Sequence, residues 1–397
     1  MLRQIEGSRA VAETVARCRP EVVAAYPISP QTHIVERLSE LVDSGGLGGC
    51  RYLLVESEFG ALSACIGGSA AGARTYTATA SQGLLFMAEA LPNASGLQLP
   101  IVMTVANRAI GAPINIWNDH SDALSQRDSG WLQLFASSNQ EAADLHVQAF
   151  ALAERVSLPV MVCMDGFVLT HAMEEIDVPE QEAVDAFLPP FRPRQWLDPD
   201  HPVTIGAMVG PEAFTEVKCL MVQRQRRALD AVAAVGEEFR AAFGRDSGGL
   251  LRPYRTDDAE VVLVVMGSAW GTAADAVDAL RVDGVRAGVL GVTCYRPWPA
   301  EALHDALSGV PRAVVVNRAV GVGSGGTLGQ DVRVSAPDGT EVCEVVMGLG
   351  GRPVTRAALA DLVCDVLDGW EPVGVLDFRD ADHTVVAREL VREEAPS

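Results

Sequence analysis

Short apolar runs punctuate the first part of the chain: EVVAAYPI at 21–28, RYLLVES at 51–57, TYTATA at 75–80, PIVMTVAN at 100–107 and PVMVCMD at 159–165. Several are continuous rather than alternating, which predicts strands of a parallel sheet covered on both faces. The segments between them read as helices. After Ser29, a candidate N-cap, Pro30 suits a first helical position, and Ile34, Val35, Leu38, Leu41 and Val42 make one apolar stripe. Residues 140–156 carry a second amphipathic pattern. Strands alternating with helices predict an α/β, doubly wound layout.

Near residue 177 the periodicity stops. Pro179, Pro189, Pro190, Pro193, Pro199 and Pro202 crowd a stretch that reads as a long irregular connection. A long helix is expected from about Pro211 to Phe243, ending near Gly244. A second α/β unit follows, with strands at 260–267, 285–292, 312–317 and 341–347. The expected division is 1–250 and 251–397.

Length and composition fit this picture. The chain has 397 residues, 48% of them hydrophobic, enough for two domains. No apolar run reaches the roughly eighteen residues of a membrane span. The start, MLRQIEGSRAV, lacks the pattern of a secretory signal, so a cytoplasmic protein is expected. A formal net charge of −21 argues against nucleic acid and anionic membrane as partners. A mean hydropathy of +0.16 is high for so charged a chain and suits subunit interfaces. The eight cysteines are scattered, with no CxxC pair, so they read as mostly buried thiols with no iron–sulfur motif. The glycine-rich turns at 267–271 and 321–329 do not match GxGxxG and read as structural.

In an open parallel sheet, ligands bind beyond the carboxyl ends of the strands. The first predicted strand ends in Tyr26-Pro27-Ile28-Ser29-Pro30, the second in Glu56-Ser57-Glu58 and the fourth in Asn107-Arg108. A hydroxyl, a carboxylate and a guanidinium thus share one edge and suit a small anionic substrate. Structural readings stand beside this one. Ser29 can cap a helix, Glu58 can face a helix dipole, Glu56 can be the important acid, and Arg108 can pair with either acid. Residues 113–131 form a dense polar loop that reads as a binding or interface loop. Its Asp119-His120-Ser121 order is not expected to form a hydrolase triad, because no GxSxG accompanies it.

Together, AYPISPQT at 25–32, VESEFGALSACIGGSAAGAR at 55–74, TATASQGL at 77–84, LPIVMTVANRAIGAPINIWNDHSDALSQRDSGW at 99–131 and LPVMVCMDGF at 158–167 resemble the alpha chain of the four-subunit pyruvate:ferredoxin oxidoreductases. DDAEVVLVVMGSAWGT at 257–272 and CYRPWP at 294–299 extend the resemblance over nearly the whole chain. The resemblance implies a pyrimidine-binding domain of thiamine-diphosphate enzymes followed by a transketolase C-terminal-like domain. It implies oxidative decarboxylation of pyruvate to acetyl-CoA and CO2, with electrons passed to ferredoxin. A branched or other 2-oxoacid is the alternative substrate, and a non-catalytic assembly subunit the alternative role. A beta subunit would bring the diphosphate and Mg2+ site and a [4Fe-4S] cluster, with gamma and delta subunits completing the complex and coenzyme A the second substrate. By the same resemblance, Glu58 contacts the aminopyrimidine and promotes deprotonation of the thiazolium carbon. Arg108 binds the substrate carboxylate, Ser29 stands where the family has threonine, and Pro27 lines the cofactor. Phe59, where smaller residues are common, is expected to narrow the site, and Trp298 replaces the usual phenylalanine.

Overall fold

The computed structural model describes residues 2–370 and 376–394, so parts of the predicted second unit, 371–375 and 395–397, lie outside the described residues. Strands β1 (Leu2–Glu6), β2 (Val22–Ala25), β3 (Arg51–Leu54), β4 (Thr75–Thr79), β5 (Ile101–Asn107), β6 (Leu132–Phe135), β7 (Val160–Asp165) and β8 (Met173–Asp177) precede the long connection. Strands β9 (Leu251–Tyr254), β10 (Val261–Val265), β11 (Ala287–Val292), β12 (Cys294–Arg296), β13 (Arg312–Asn317), β14 (Val320–Gly321), β15 (Gly325–Gly326), β16 (Glu341–Val346) and β17 (Asp377–Phe378) follow it. The helices used below are α1 (Gly7–Arg17), α2 (Thr32–Asp43), α3 (Glu58–Ala70), α4 (Ser81–Phe86), α5 (Ala90–Gly96), α6 (Ser121–Ser125), α7 (Asn139–Val156), α8 (Gln181–Phe187), α9 (Phe214–Phe243) and α10 (Ala269–Val282).

Two sheets dominate. One runs β12-β6-β7-β5-β4-β2-β3, parallel except for β12; the other runs β17-β16-β13-β10-β11-β9, parallel except for β9. Alternate residues of each strand face opposite layers. Val102 and Val160 join α1, α2, α7 and α9 on one side, while Ile101, Met103, Val105 and Met161 enter a core shared with Val262, Val264, Leu290 and Val315 of the second sheet. Val261, Leu263 and Val265 face a third layer that includes α10. The α/β, doubly wound expectation is therefore the observed architecture.

Local differences have physical causes. β12 comes from beyond residue 250 yet pairs with β6, so the chain sews the two sheets together. The N-terminal residues form an unpredicted antiparallel ribbon, β1 with β8, whose mixed polar composition hid it. The irregular connection includes a short helix, α8, and the long helix starts at Phe214, ending where Gly244 takes φ +69°. Pro30 does not begin a helix. It lies in a turn, and α2 starts at Thr32 with Gln31 at the cap position. The Gln31 amide instead donates to the carbonyls of Tyr26 (2.8 Å) and Ala78 (3.3 Å), so the side chain fixes the turn to β4 rather than capping the helix. Cys18, Cys65, Cys163, Cys294 and Cys343 are buried as expected, but Cys219 and Cys364 are exposed. Burial pushes the Cys65 and Cys294 thiols up to about 12.

Candidate active site

In the first sheet the chain leaves β2 for β3 on one side and then returns to place β4 on the other side of β2. That reversal opens a crevice beyond the strands' carboxyl ends, the usual ligand position in such sheets. The turns after β2, β3, β4 and β5 carry Ser29, Glu58, Gly83 and Arg108 respectively.

Glu58 is the first residue of α3. Ser57 caps the helix by accepting from the Gly60 N–H at 3.0 Å, which holds Glu58 at the helix start. Glu58 is 8% exposed, and no hydrogen bond or ion pair from the described residues reaches its carboxylate. Its side chain lies over Gly83. A Cβ there would sit 2.7 Å from Glu58 Oε1 and 2.6 Å from Thr79 Oγ1, a buried hydroxyl without a partner among the described residues. Buried polar groups are normally satisfied, and a buried carboxylate without a partner is costly. Glu56, the competing acid, is exposed and folds over Gly60 at the helix start.

Arg108 is 7% exposed. Its Nη1 donates to the Ser29 carbonyl at 2.8 Å and its Nε to the Asn115 carbonyl at 3.3 Å. Both partners are neutral, and no ion pair with Glu56, Glu58 or another described acid forms. Burial pulls the guanidinium below its ordinary value, only partly offset by Asp122. The loop carrying Ser29 is thus tied to Arg108 through the backbone, while Ser29 and Pro27 are themselves exposed. The helix cap near them is Gln31, so Ser29 does not take the capping role.

The residue that joins these turns was not singled out in the sequence. Asp122, at the start of α6, is fully buried. It accepts from Ser81 N (2.9 Å), Arg108 N (3.0 Å), Asn107 Nδ2 (2.8 Å) and Ala123 N (2.8 Å). Burial outweighs those four donors and pushes its carboxyl up to about 6. Ser81 has φ +49°, an unfavourable region for a side chain, and is held there by Asp122 and by its own hydroxyl donating to the Ala109 carbonyl at 2.6 Å. Asp122 therefore locks the ends of β4 and β5 together. Only its place in a dense polar loop signalled a role.

The polar loop is a clamp between the two sheets. Gly351 N donates to Asn118 O at 2.7 Å, Asn115 Nδ2 to Gly350 O at 3.1 Å, and His120 N to Arg318 O at 2.8 Å. His120 Nε2 lies 2.8 Å from Asp165 Oδ1, and Arg318 Nη1 donates to Asp165 Oδ2 at 2.6 Å. Burial would raise the Asp165 carboxyl, but Arg318 and His120, with Ser268, hold it well below the usual range. Gly267 (φ +65°) makes this possible, because a Cβ would lie 2.8 Å from His120 Nε2. Ser121 bonds Asp119, not His120, so no hydrolase triad forms. Trp298 donates to Ser335 Oγ at 2.8 Å, a packing role. Phe59 is 36% exposed, its ring 6.3 Å from that of Phe86.

Comparison with known proteins decides the family. Residues 13–238 match the family described as "Pyruvate flavodoxin/ferredoxin oxidoreductase, thiamine diP-bdg". The chain belongs to the 2-oxoacid:ferredoxin oxidoreductase family, as an alpha-type subunit. Residues 259–359 match "Pyruvate:ferredoxin oxidoreductase core domain II". Pyruvate synthase subunit PorA of Methanosarcina barkeri is 46% identical over 90% of this chain and 91% of its own. PorA of Methanocaldococcus jannaschii is 44% identical over 89% and 92%. Ketoisovalerate oxidoreductase subunit VorA of Pyrococcus horikoshii is 39% identical over 88% and 90%. In fold the chain is similar to a 2-oxoglutarate:ferredoxin oxidoreductase from Magnetococcus marinus, with a TM-score of 0.73 at 19% identity, covering 92% of this chain and 65% of that one. A split-gene transketolase matches at a TM-score of 0.54 and 13% identity, over 92% and 99%. No helix among the described residues is long and apolar enough to cross a membrane.

Proposed function

We propose that this subunit supplies the activating carboxylate and the substrate-binding guanidinium of a thiamine-diphosphate-dependent enzyme that oxidises pyruvate to acetyl-CoA and CO2. One observation carries the reading. A buried carboxylate and a buried guanidinium, each without an ionic partner among the described residues, occupy turns on one edge of the first sheet. Each is costly alone, and each is complementary to part of the reaction: Glu58 to the aminopyrimidine ring, Arg108 to the carboxylate of a 2-oxoacid.

The residues fit the cofactor's ring. The Glu58 carboxylate and the Thr79 hydroxyl, which has no partner among the described residues, both lie close against Gly83, and the polar edge of a heterocycle reaching them would give both a partner. Bound thiamine diphosphate supplies the nucleophilic carbon and accepts the electron pair released by decarboxylation. Glu58 accepts a hydrogen bond from the ring and helps move its proton. Pro27 lines the cofactor side of the turn. Arg108 is presented by Asp122 at its backbone and by Ser29 O at its Nη1, which leaves Nη2 donors for the substrate carboxylate. The Ser29 hydroxyl, exposed and close to that loop, is a further donor to the substrate.

Tyr26, Leu54, Phe59, Ile114 and Trp117 leave large apolar side chains exposed around this edge. Such a patch suits a covering subunit. We assign that place to a beta subunit bearing the diphosphate and Mg2+ site and a [4Fe-4S] cluster, with gamma and delta subunits carrying electrons to ferredoxin and coenzyme A as second substrate. Residues 1–250 act as the catalytic unit, 251–397 as the supporting unit, in the cytoplasm. The VorA relatives favour a second reading, the same chemistry on a branched 2-oxoacid.

The test has two arms. Calorimetry compares thiamine diphosphate binding by the chain alone and with its beta partner. Tight binding is expected only in the assembly, and tight Mg2+-dependent binding by the chain alone would overturn the division of labour. Ferredoxin reduction by the assembled enzyme is then compared for pyruvate and 2-oxoisovalerate. A higher kcat/KM for the branched substrate would replace pyruvate.

A further inference from the structure

Away from Glu58 and Arg108, three side chains from distant segments converge. Glu6 ends β1, His33 lies in the first turn of α2, and His171 lies in the turn between β7 and β8. His33 Nδ1 is 2.6 Å from Glu6 Oε1, and the two imidazole rings are 4.7 Å apart. One potential ligand atom from each of the three falls within 4.8 Å of the others. We propose that Glu6, His33 and His171 form a binding site for a divalent transition-metal cation, with zinc the reference ion.

The donor set is appropriate. Two imidazole nitrogens and one carboxylate oxygen suit ions of intermediate softness, and zinc holds such ligands at about 2.0–2.2 Å with a fourth position for water. That implies ligand atoms roughly 3.4 Å apart in a tetrahedron. Side-chain rotation closes the remaining distance, because the His33 side chain is 44% exposed and has solvent on one side to move into. The backbone beneath is already fixed. Gly7 N donates to Ala172 O at 3.0 Å and Ser8 N to Thr170 O at 2.9 Å, which holds the Glu6 and His171 segments together. His171 Nδ1 lies 2.7 Å from Thr170 Oγ1, leaving Nε2 for the metal, the usual outer contact of a ligating histidine. Only the neutral imidazole ligates, so binding should weaken in acid. Arg9, 3.9 Å from Glu6, is the charge opposing a cation, and it is half exposed and able to swing away.

Position gives the site a use. His171 packs at a tilt against Phe167, and Phe167 against Trp117 of the clamp loop, each pair with centroids 4.7 Å apart. Gly166, next to Phe167, packs so closely on Pro30 that a Cβ would lie 2.6 Å from its ring. A bound ion would brace the Ser29 turn from outside. This inference does not depend on the roles proposed for Glu58 and Arg108.

The test uses the full chain, stripped with a chelator and titrated with Zn2+ by calorimetry and with Co2+ by visible absorption. Wild type should bind one ion saturably and melt at a higher temperature with zinc. His33→Gln and His171→Gln should each weaken binding by at least the roughly 10- to 100-fold that losing an outer contact costs. Both should keep the metal-free melting temperature. If His171→Gln lowers it, His33→Gln decides alone, because its ring is at the surface. No saturable binding, or an isotherm and cobalt spectrum unchanged in His33→Gln, overturns the proposal.

Discussion

Glu58→Gln is the sharpest perturbation of the proposed site. Glutamine has the same length and shape, so the packing of the side chain against Gly83 is preserved. What changes is the charge on a side chain only 8% exposed and unpaired among the described residues. Two consequences have opposite signs. The isolated chain no longer buries an uncompensated carboxylate, so its stability should hold or rise. The assembled enzyme loses acid–base help worth roughly 10²- to 10⁴-fold in rate, about 2.7–5.4 kcal/mol of barrier. Exchange of the thiazolium carbon's proton for deuterium in the assembled complex, followed by NMR, reads the loss directly. Thermal melting of the chain alone reads stability. Glu56→Gln is the control, and it should change exchange less than about threefold, because Glu56 is exposed and folded over Gly60. Wild-type exchange in Glu58→Gln would refute the assignment. Lost exchange in Glu56→Gln alone would transfer the role to Glu56.

Further outcomes follow from the same geometry. Arg108→Lys keeps the charge but loses the planar fork, so kcat/KM for the 2-oxoacid should fall in steady-state kinetics by a factor equivalent to about 2–5 kcal/mol, while cofactor affinity is unchanged. Ser29→Ala should cost about 0.5–1.5 kcal/mol in the same assay, and Ser29→Thr should be tolerated. Asp122 needs its charge to accept four N–H groups, so activity should fall as pH drops through about 6; its raised value means the folded state holds that proton more tightly than the unfolded one, so melting temperature should not fall through this group over that range. Asp122→Asn should remove that acid limb and lower activity at every pH. Arg318→Met strands Asp165 in the interior and should cost about 3–5 kcal/mol in urea unfolding.

Much of the fold was legible because its information is local. Buried parallel strands such as β5 and β7 are continuous apolar runs, and Ser138 with Asn139–Val156 obeys helix-start rules, its hydroxyl accepting from Glu141 N. The misses depended on partners far away in sequence. β12 is three residues long and exists because β6 offers an edge. The Pro30 turn escaped helix rules because Gln31 reaches a carbonyl of β4. The charges of the candidate site were legible for the same reason as the strands: Glu58 and Arg108 follow strands whose ends could be located. Their lack of ionic partners among the described residues was not legible, and neither was the work of Gly83, whose missing Cβ matters only because Glu58 and Thr79 arrive from other segments.

Asp122 and Asp165 show why composition alone cannot assign such roles. Both are buried aspartates at the two ends of one clamp, yet their carboxyls move in opposite directions. Asp122 accepts only from neutral N–H donors, so burial dominates and pushes its carboxyl up to about 6. Asp165 meets Arg318 and His120, and their attraction exceeds the same burial. The consequence is a division of labour within the loop. Its outer end is fixed to the second sheet by an ion network that mild acid leaves intact. Its inner end, which sets the backbone of Arg108 and Ser81, rests on a carboxylate that mild acid neutralises. Loss of the site's geometry in acid should therefore precede separation of the two sheets, because the charge holding Arg108 in place is the first of the two to be lost.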